Sequence, residues 1–201
     1  MPKDGPEGLR ERKKRMTRAA LRTAAVRLFS ERGPEAVTVE EICAEAGVSP
    51  RTFFNYFAAK EETLLPFTRD DCERFAREVA ERPGHERPQQ AVRAVLEAAI
   101  GRAVAGPTWR EEAALLRRHP ALAHRGVAAT RSLRRALTEG LARRLGPQAP
   151  RLYLHVVASV SVAAMQAAVN AWQEDPEEGD VLRLLGEAFD RVEAGLAPPQ
   201  D

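Results

Sequence analysis

Two cysteines and four histidines in 201 residues leave little from which to build a metal centre or a disulfide framework. No CxxC and no HExxH spacing occurs, so no metal site is expected. Cys43 falls among apolar positions and reads as a small core residue, since nothing around it marks a lowered thiol pKa or a redox sensor. Sustained alternation of β-branched residues is absent, which excludes strands. There is no Ser/His/Asp order, no paired carboxylates and no glycine-rich phosphate loop; Glu187 and Asp190 read as a solvated helix face. An enzyme is therefore not expected, and no cofactor is implied. No apolar run is read as reaching the ~18 residues needed to span a bilayer. The N-terminus, MPKDGPEGLRERKKR, lacks the apolar stretch of a signal peptide. These absences, with thiols suited to a reducing compartment, point to a cytoplasmic protein without a membrane partner.

What is present fits a soluble, all-helical chain. Hydrophobic residues make up 44% and charged residues 30%, enough apolar matter for one domain or two small ones. The net charge is only +2, but residues 1–60 hold 12 Lys/Arg against 8 Asp/Glu, so the positive excess sits at the N-terminal end. Residues 1–9, rich in Pro and Gly, read as disordered. Arg10, Arg12, Lys13, Lys14, Arg15 and Arg18 then form a basic run. It is either a solvated helix start or an arm for an external anion. Cations at a helix N-terminus oppose the dipole, which favours the arm.

Thr38 to Lys60, TVEEICAEAGVSPRTFFNYFAAK, is the most informative stretch. Thr38 and Glu41 have capping-box spacing, and Val39, Ile42 and Ala46 share one helical face. Gly47 stands where that helix should stop, in a left-handed conformation that glycine tolerates. Ser49 can cap a second helix with Pro50 at its first position. Helix, three-residue turn, helix is the geometry that lays a second helix in a DNA major groove, although any αα-hairpin shares it. Phe53 and Phe57, four apart, can anchor the second helix. Arg51, Thr52, Asn55 and Tyr56 then face outward, with side chains suited to phosphates and base edges rather than the usual Glu/Lys mixture.

Gly33, Thr38, Val39, Ile42, Ala46, Gly47, Val48, Ser49, Thr52, Phe53, Tyr56, Phe57, Lys60, Glu61 and Leu64 together resemble the DNA-binding domain of the TetR family of bacterial transcriptional regulators. The resemblance covers roughly Arg15 to Leu65. It implies phosphate contacts at Thr52, Tyr56 and Lys60 and base-facing positions at Arg51, Phe54 and Asn55, with Arg15, Thr38, Ser49 and Pro50 completing the DNA-facing set. Many members carry tyrosine where this chain has Phe54, which can offer a thymine methyl only an apolar contact. The implied architecture is an N-terminal three-helix domain, residues 10–60, and a helical effector-binding and dimerisation domain, residues 61–197, with about nine helices. The implied function is a homodimeric repressor on an inverted-repeat double-stranded DNA operator, released by a small-molecule effector. A helical protein–protein adaptor is the alternative.

Along the chain, a first helix is expected over Thr17–Glu31, with Leu21, Ala24, Ala25, Leu28 and Phe29 inward. Lys60 is expected to open a long fourth helix. Pro83, Gly84 and Pro88 break it, and helices over 89–104, 108–118 and 121–145 follow. Arg151–Gln173 is nearly uncharged and must be buried on several sides, and Asp180–Leu196 is apolar on one face. Doubling these two helices about a two-fold axis places Val156, Val160, Ala164, Ala167, Leu185 and Phe189 in a dimer interface. The resemblance implies an effector pocket, with Phe67, Phe75, Leu96, Ile100, Trp109, Leu116, His155 and Trp172 as candidate lining. The scarcity of acids among them suits an apolar or anionic ligand. The stretch LLRRHPALAHR is similar to actinobacterial members of the family, some of which sense fatty acyl thioesters.

Overall fold

The computed structural model describes residues 9–64, 67–175 and 180–196, without the side chains of residues 10, 11, 69 and 120–128. Among the described residues the chain is entirely helical: α1 (Leu9–Arg32), α2 (Val39–Ala46), α3 (Pro50–Phe54), a 3-10 turn (Lys60–Leu64), α4 (Arg69–Glu81), α5 (Pro88–Val104), α6 (Trp109–Arg118), α7 (Pro120–Leu145), α8 (Arg151–Glu174) and α9 (Val181–Glu193). It divides into two compact units, Met1–Leu65 with Arg110–Arg125, and Pro66–Trp109 with Gly126–Asp201. The expectation of disorder over residues 1–9 lies outside the described residues except for Leu9, which opens α1.

In the first unit α1 begins earlier than the sequence suggested, at Leu9 rather than Thr17, and runs through the basic segment. Arg, Lys and Glu are good helix formers, and their intrinsic preference outweighs the small, screened dipole penalty. Leu21, Ala25 and Phe29 of α1 meet Val37, Ile42, Phe53, Phe57 and Leu64 in one buried cluster. Removing a side chain of this size from water contributes about 1.5–3 kcal/mol. Leu115 of α6 is fully buried in the same cluster, and Glu112 on that helix accepts a hydrogen bond from Arg22 Nη2 at 2.7 Å. Glu112 is buried and Arg22 only partly exposed, so each needs the other.

The fourth helix differs from expectation. Lys60–Leu64 is a single 3-10 turn, and α4 starts only at Arg69. Its N-cap is Thr68, whose hydroxyl accepts from Asp71 N while the Asp71 carboxylate accepts from Thr68 N at 3.0 Å. This second capping box uses aspartate in place of glutamate.

In the second unit α8 packs against α5 and α9. Leu154, Val157, Ala158, Val162, Met165, Ala168 and Trp172 form its inward row. Val181, Leu185 and Phe189 are the inward row of α9. Arg93 on α5 binds Asp190 at 2.6 Å and Glu97 at 2.7 Å while its guanidinium lies 5.7 Å from the centre of the Phe189 ring. At 24 residues α8 is long and apolar enough to cross a membrane by length and composition alone, which corrects the expectation that no such run exists. Between Arg151 and Glu174 at its ends, its polar residues, among them His155, Ser159, Ser161, Gln166 and Asn170, are dispersed and carry no formal charge while histidine is neutral, so they do not interrupt the run. Its inward row nevertheless belongs to a core among helices.

Helix α4 and helix α7 approach closely at Gly140. A Cβ there would lie 2.7 Å from the Ala76 carbonyl oxygen and 2.9 Å from Val79 Cβ. Glycine to alanine in mid-helix ordinarily gains stability. Here overpacking outweighs that gain, and Gly140→Ala is expected to lower stability by about 1–3 kcal/mol. A denaturant melt showing an equal or higher midpoint would refute the close approach.

Candidate nucleic-acid interface

Helix α2 starts on the capping box read from the sequence. Thr38 N donates to Glu41 Oε2 at 2.7 Å, and Glu41 N donates to Thr38 Oγ1 at 3.2 Å. Glu41 also accepts from Arg32 Nη1 at 2.7 Å. The backbone N–H of Thr38, with Arg32 and the Thr38 hydroxyl, holds the Glu41 carboxyl down at about 2. Gly47 ends the helix with φ +67, and Val48 N returns to Cys43 O at 2.9 Å. The Ser49 hydroxyl then caps α3, accepting from Thr52 N at 3.2 Å and lying 3.0 Å from Thr52 Oγ1.

Helix α3 is short. Regular geometry covers Pro50–Phe54, and the chain continues through a turn to Phe57, with Tyr56 N and Phe57 N both bonded to Phe53 O. Phe53 and Phe57 point into the core with ring centres 5.4 Å apart. Arg51, Phe54 and Asn55 are exposed, and Thr52 and Tyr56 are half-buried. Phe54 keeps 56% of its surface in water, an unusual position for a large apolar ring. No acidic residue occurs between Glu45 and Glu61. The outcome is an acid-free strip carrying one guanidinium, one amide, two hydroxyls and one exposed ring, which can donate to phosphate oxygens and reach base edges.

The other sequence-chosen positions flank this strip unevenly. Ser49 and Pro50 are exposed at its start, Thr38 is exposed at the start of α2, and Arg15 is exposed on α1. Lys60 is half-buried, and its Nζ donates to the Val37 carbonyl at 2.6 Å, so it braces the residue preceding the α2 cap. Sequence reasoning missed this brace because Val37 and Lys60 are 23 residues apart. Arg18, read only as part of the basic run, lies with its guanidinium 6.0 Å from the centre of the Phe57 ring.

Residues 21–65 match the model for "Bacterial regulatory proteins, tetR family", and residues 86–197 match the "MftR C-terminal domain". The chain belongs to the TetR family. It is 45% identical over 100 residues to the HTH-type transcriptional regulator TcmR of Streptomyces glaucescens, covering 49% of this chain and 43% of that protein. It is 43% identical over 65 residues to the HTH-type transcriptional regulator BetI of Rhizobium meliloti, covering 32% of this chain and 29% of BetI. Each match thus spans less than half the length of the curated relative. Among solved structures the chain resembles SmeT, the repressor of the Stenotrophomonas maltophilia multidrug efflux pump SmeDEF, with TM-score 0.56, 21% identity and 89% of each chain covered. It also resembles Thermus thermophilus FadR in complex with lauroyl-CoA, with TM-score 0.51, 24% identity, and 92% and 97% covered. At these identities the likeness concerns the fold.

The residues chosen from sequence for an effector pocket and a partner interface separate into groups. Phe67 and Phe75 pack edge to face at 5.2 Å, and Trp109 stacks on Trp172 at 5.2 Å. Phe75 and Leu96 have no accessible surface and Ile100 almost none, so they are packed in the core. Leu116 packs against the core of the first unit, and His155 is exposed on the rim of a different cleft. Of the expected interface residues, Val156, Val160 and Ala167 lie on the exposed side of α8. Ala164, Leu185 and Phe189 are buried within the chain's own core. Helix α8 is apolar on two sides, and composition does not say which side the subunit itself covers. Burial raises both cysteine thiols, Cys72 to about 11, which keeps them protonated and weakly nucleophilic. Among the described residues no cluster of His, Cys, Asp or Glu could hold a metal.

The Glu41 carboxyl is held below its ordinary value of 4.5, so the stability it contributes is present above that value and lost as pH falls toward about 2. Acid titrations followed by helical circular dichroism should show Glu41→Gln less stable than the parent at neutral pH, with the difference closing through that window. A constant difference down to the lower limit would show that the carboxylate's charge is not what stabilises the α2 start.

Proposed function

We propose that this chain is a homodimeric repressor that binds an inverted-repeat operator through the α3 strip and releases it when a small molecule occupies the C-terminal helices. The observation that carries this reading is the exposed, acid-free face of Arg51, Thr52, Phe54, Asn55 and Tyr56, fixed by a buried Phe53. Residues 10–60 form the DNA-reading domain and residues 61–197 the effector-binding and dimerisation domain. The site of action is the cytoplasm, and no catalytic step is involved.

One α3 reads too few base pairs for useful specificity, and a two-fold dimer presents two heads to half-sites about 34 Å apart. The partner face is the exposed apolar side of α8, where Leu152, Val156, Val160, Ala163 and Ala167 recur at helical spacing. Leu152 and Val156 keep 75% and 49% of their surface exposed, which favours cover by a second copy. The effector acts by binding one spacing of the heads better than the other, because equal affinity shifts nothing. An apolar or acyl-type ligand suits the aromatic side chains around Trp109 and Trp172, and their stacked indoles give a fluorescence report of its entry.

Mobility-shift titrations on fragments of the protein's own upstream DNA, at several salt concentrations, test the reading. Lys60 gives one ammonium N–H to Val37 O and keeps two donors for phosphate, so Lys60→Gln is expected to weaken binding to all sequences alike and to lower the salt slope by about one. Arg51→Ala or Asn55→Ala should instead change which sequence is preferred, at about 1–3 kcal/mol per base read. Salt-independent binding, or equal losses on every sequence from all three changes, would sink the proposal. Val156→Asp with Val160→Asp should convert a sedimenting dimer to monomer; a dimer that survives both would place the interface elsewhere.

A further inference from the structure

A cleft of about 630 Å³ in the second unit is lined by α7, the 146–149 turn and the first turns of α8. Its volume falls within the roughly 300–1,000 Å³ of small-molecule sites. Its chemistry is one-sided. Arg131, Arg134 and Arg135 enter from α7 and Arg151 from α8, with His155 a turn further on and the hydroxyls of Thr138 and Ser159 between them. Glu139 is the one carboxylate in the lining, and it is taken by Arg135 Nε at 2.9 Å. Among the described residues no carboxylate lies within ion-pair reach of Arg131, Arg134 or Arg151. Ala142, Pro147, Ala149 and Leu154 supply an apolar floor.

The placement of these cations is unfavourable in the absence of a counter-charge. Arg131 and Arg135 are one helical turn apart on α7, so like charges sit at neighbouring positions there, and Glu139 answers only Arg135. Arg151 is also the first residue of α8, where the helix dipole is positive; Pro150 at the cap has no side-chain hydrogen bond, and the first turn holds no acid. Several guanidinium forks converging from two helices on a concave surface match the several acceptor directions of a tetrahedral phosphate.

We propose that this cleft is a binding site for a phosphate-bearing small molecule, with the phosphate held by Arg131, Arg134 and Arg151 and any apolar body resting on Ala142, Pro147, Ala149 and Leu154. The site is separate from the α3 strip and from the aromatic residues of the effector reading, and does not depend on either. Glu139 acts as an internal competitor that occupies Arg135 until the ligand arrives.

Isothermal titration of the full chain, free of DNA, with orthophosphate, pyrophosphate and phenyl phosphate tests it. At least one is expected to bind, more weakly as salt rises. Preference for phenyl phosphate over orthophosphate assigns the site to an ester, and the reverse assigns it to free phosphate. Arg131→Ala with Arg134→Ala and Arg151→Ala should lower the affinity at least about tenfold, because charge-assisted hydrogen bonds are lost. All three side chains are exposed, so the fold should be retained, as an unchanged melting curve would verify. Glu139→Gln should raise affinity severalfold by freeing Arg135, a gain that no folding defect can mimic. Three results would overturn the assignment: no binding at millimolar anion, binding undiminished in the triple variant, or binding abolished instead by Arg51→Ala with Lys60→Gln. Loss of the dimer in the triple variant, with no anion binding to the parent, would assign the arginines to a partner subunit and also overturn it.

Discussion

The burial of Phe53 is the constraint on which the DNA-reading unit depends. Helix α3 has five residues, far too few to persist on its own hydrogen bonds, because nucleation costs more than so short a helix returns. It exists because Ser49 closes its first turn and because Phe53 and Phe57 are held among Leu21, Phe29 and Ile42. Fixing those two rings fixes the rotation of the helix about its axis. That rotation turns Arg51, Phe54 and Asn55 to water together. Sequence, anchor and outward chemistry are therefore one arrangement: altering the anchor would re-aim every side chain that the strip presents.

The second unit is organised by a different physical fact, the presence of more apolar helix surface than one subunit covers. On α8 one side is closed by α5 and α9, and the opposite side leaves Leu152, Val156 and Val160 in water. The flank nearest α7 is polar and basic. A single helix thus carries a core face, an exposed apolar face and the wall of an anion-attracting cleft. Cross-helix ties such as Arg93 with Asp190 and Glu97 hold the core side in place. Bidentate or multiple partners make such a cluster worth more than an isolated surface pair.

Much of the fold was legible because it is encoded locally. The Thr38–Glu41 box, the left-handed Gly47 and the Ser49–Pro50 start each involve residues within three or four positions, and each formed as read. The ends of α5 and α6 were legible for the same reason, since prolines and glycines stop helices without help from distant residues. The late start of α4 has a local signal of the same spacing, Thr68 with Asp71, but the charge of Lys60 suggests an earlier start, and a 3-10 turn occupies Lys60–Leu64 instead. The early start of α1 is less legible because the dipole penalty on its basic run and the helix propensity of Arg, Lys and Glu point in opposite directions, and propensity wins.

By itself, the sequence determined the helical class, the turn of the DNA-binding motif, the buried and outward positions of α3 and the family resemblance. All of these rest on neighbours along the chain. Tertiary structure alone decided that Lys60 braces Val37, that Leu115 and Glu112 of α6 serve the N-terminal core, that Leu185 and Phe189 turn inward, and that arginines from two helices share one cleft. The physical reason is that an apolar stripe states that it must be covered but not by what, and a charge states its sign but not its partner; only the packing of distant segments supplies either answer.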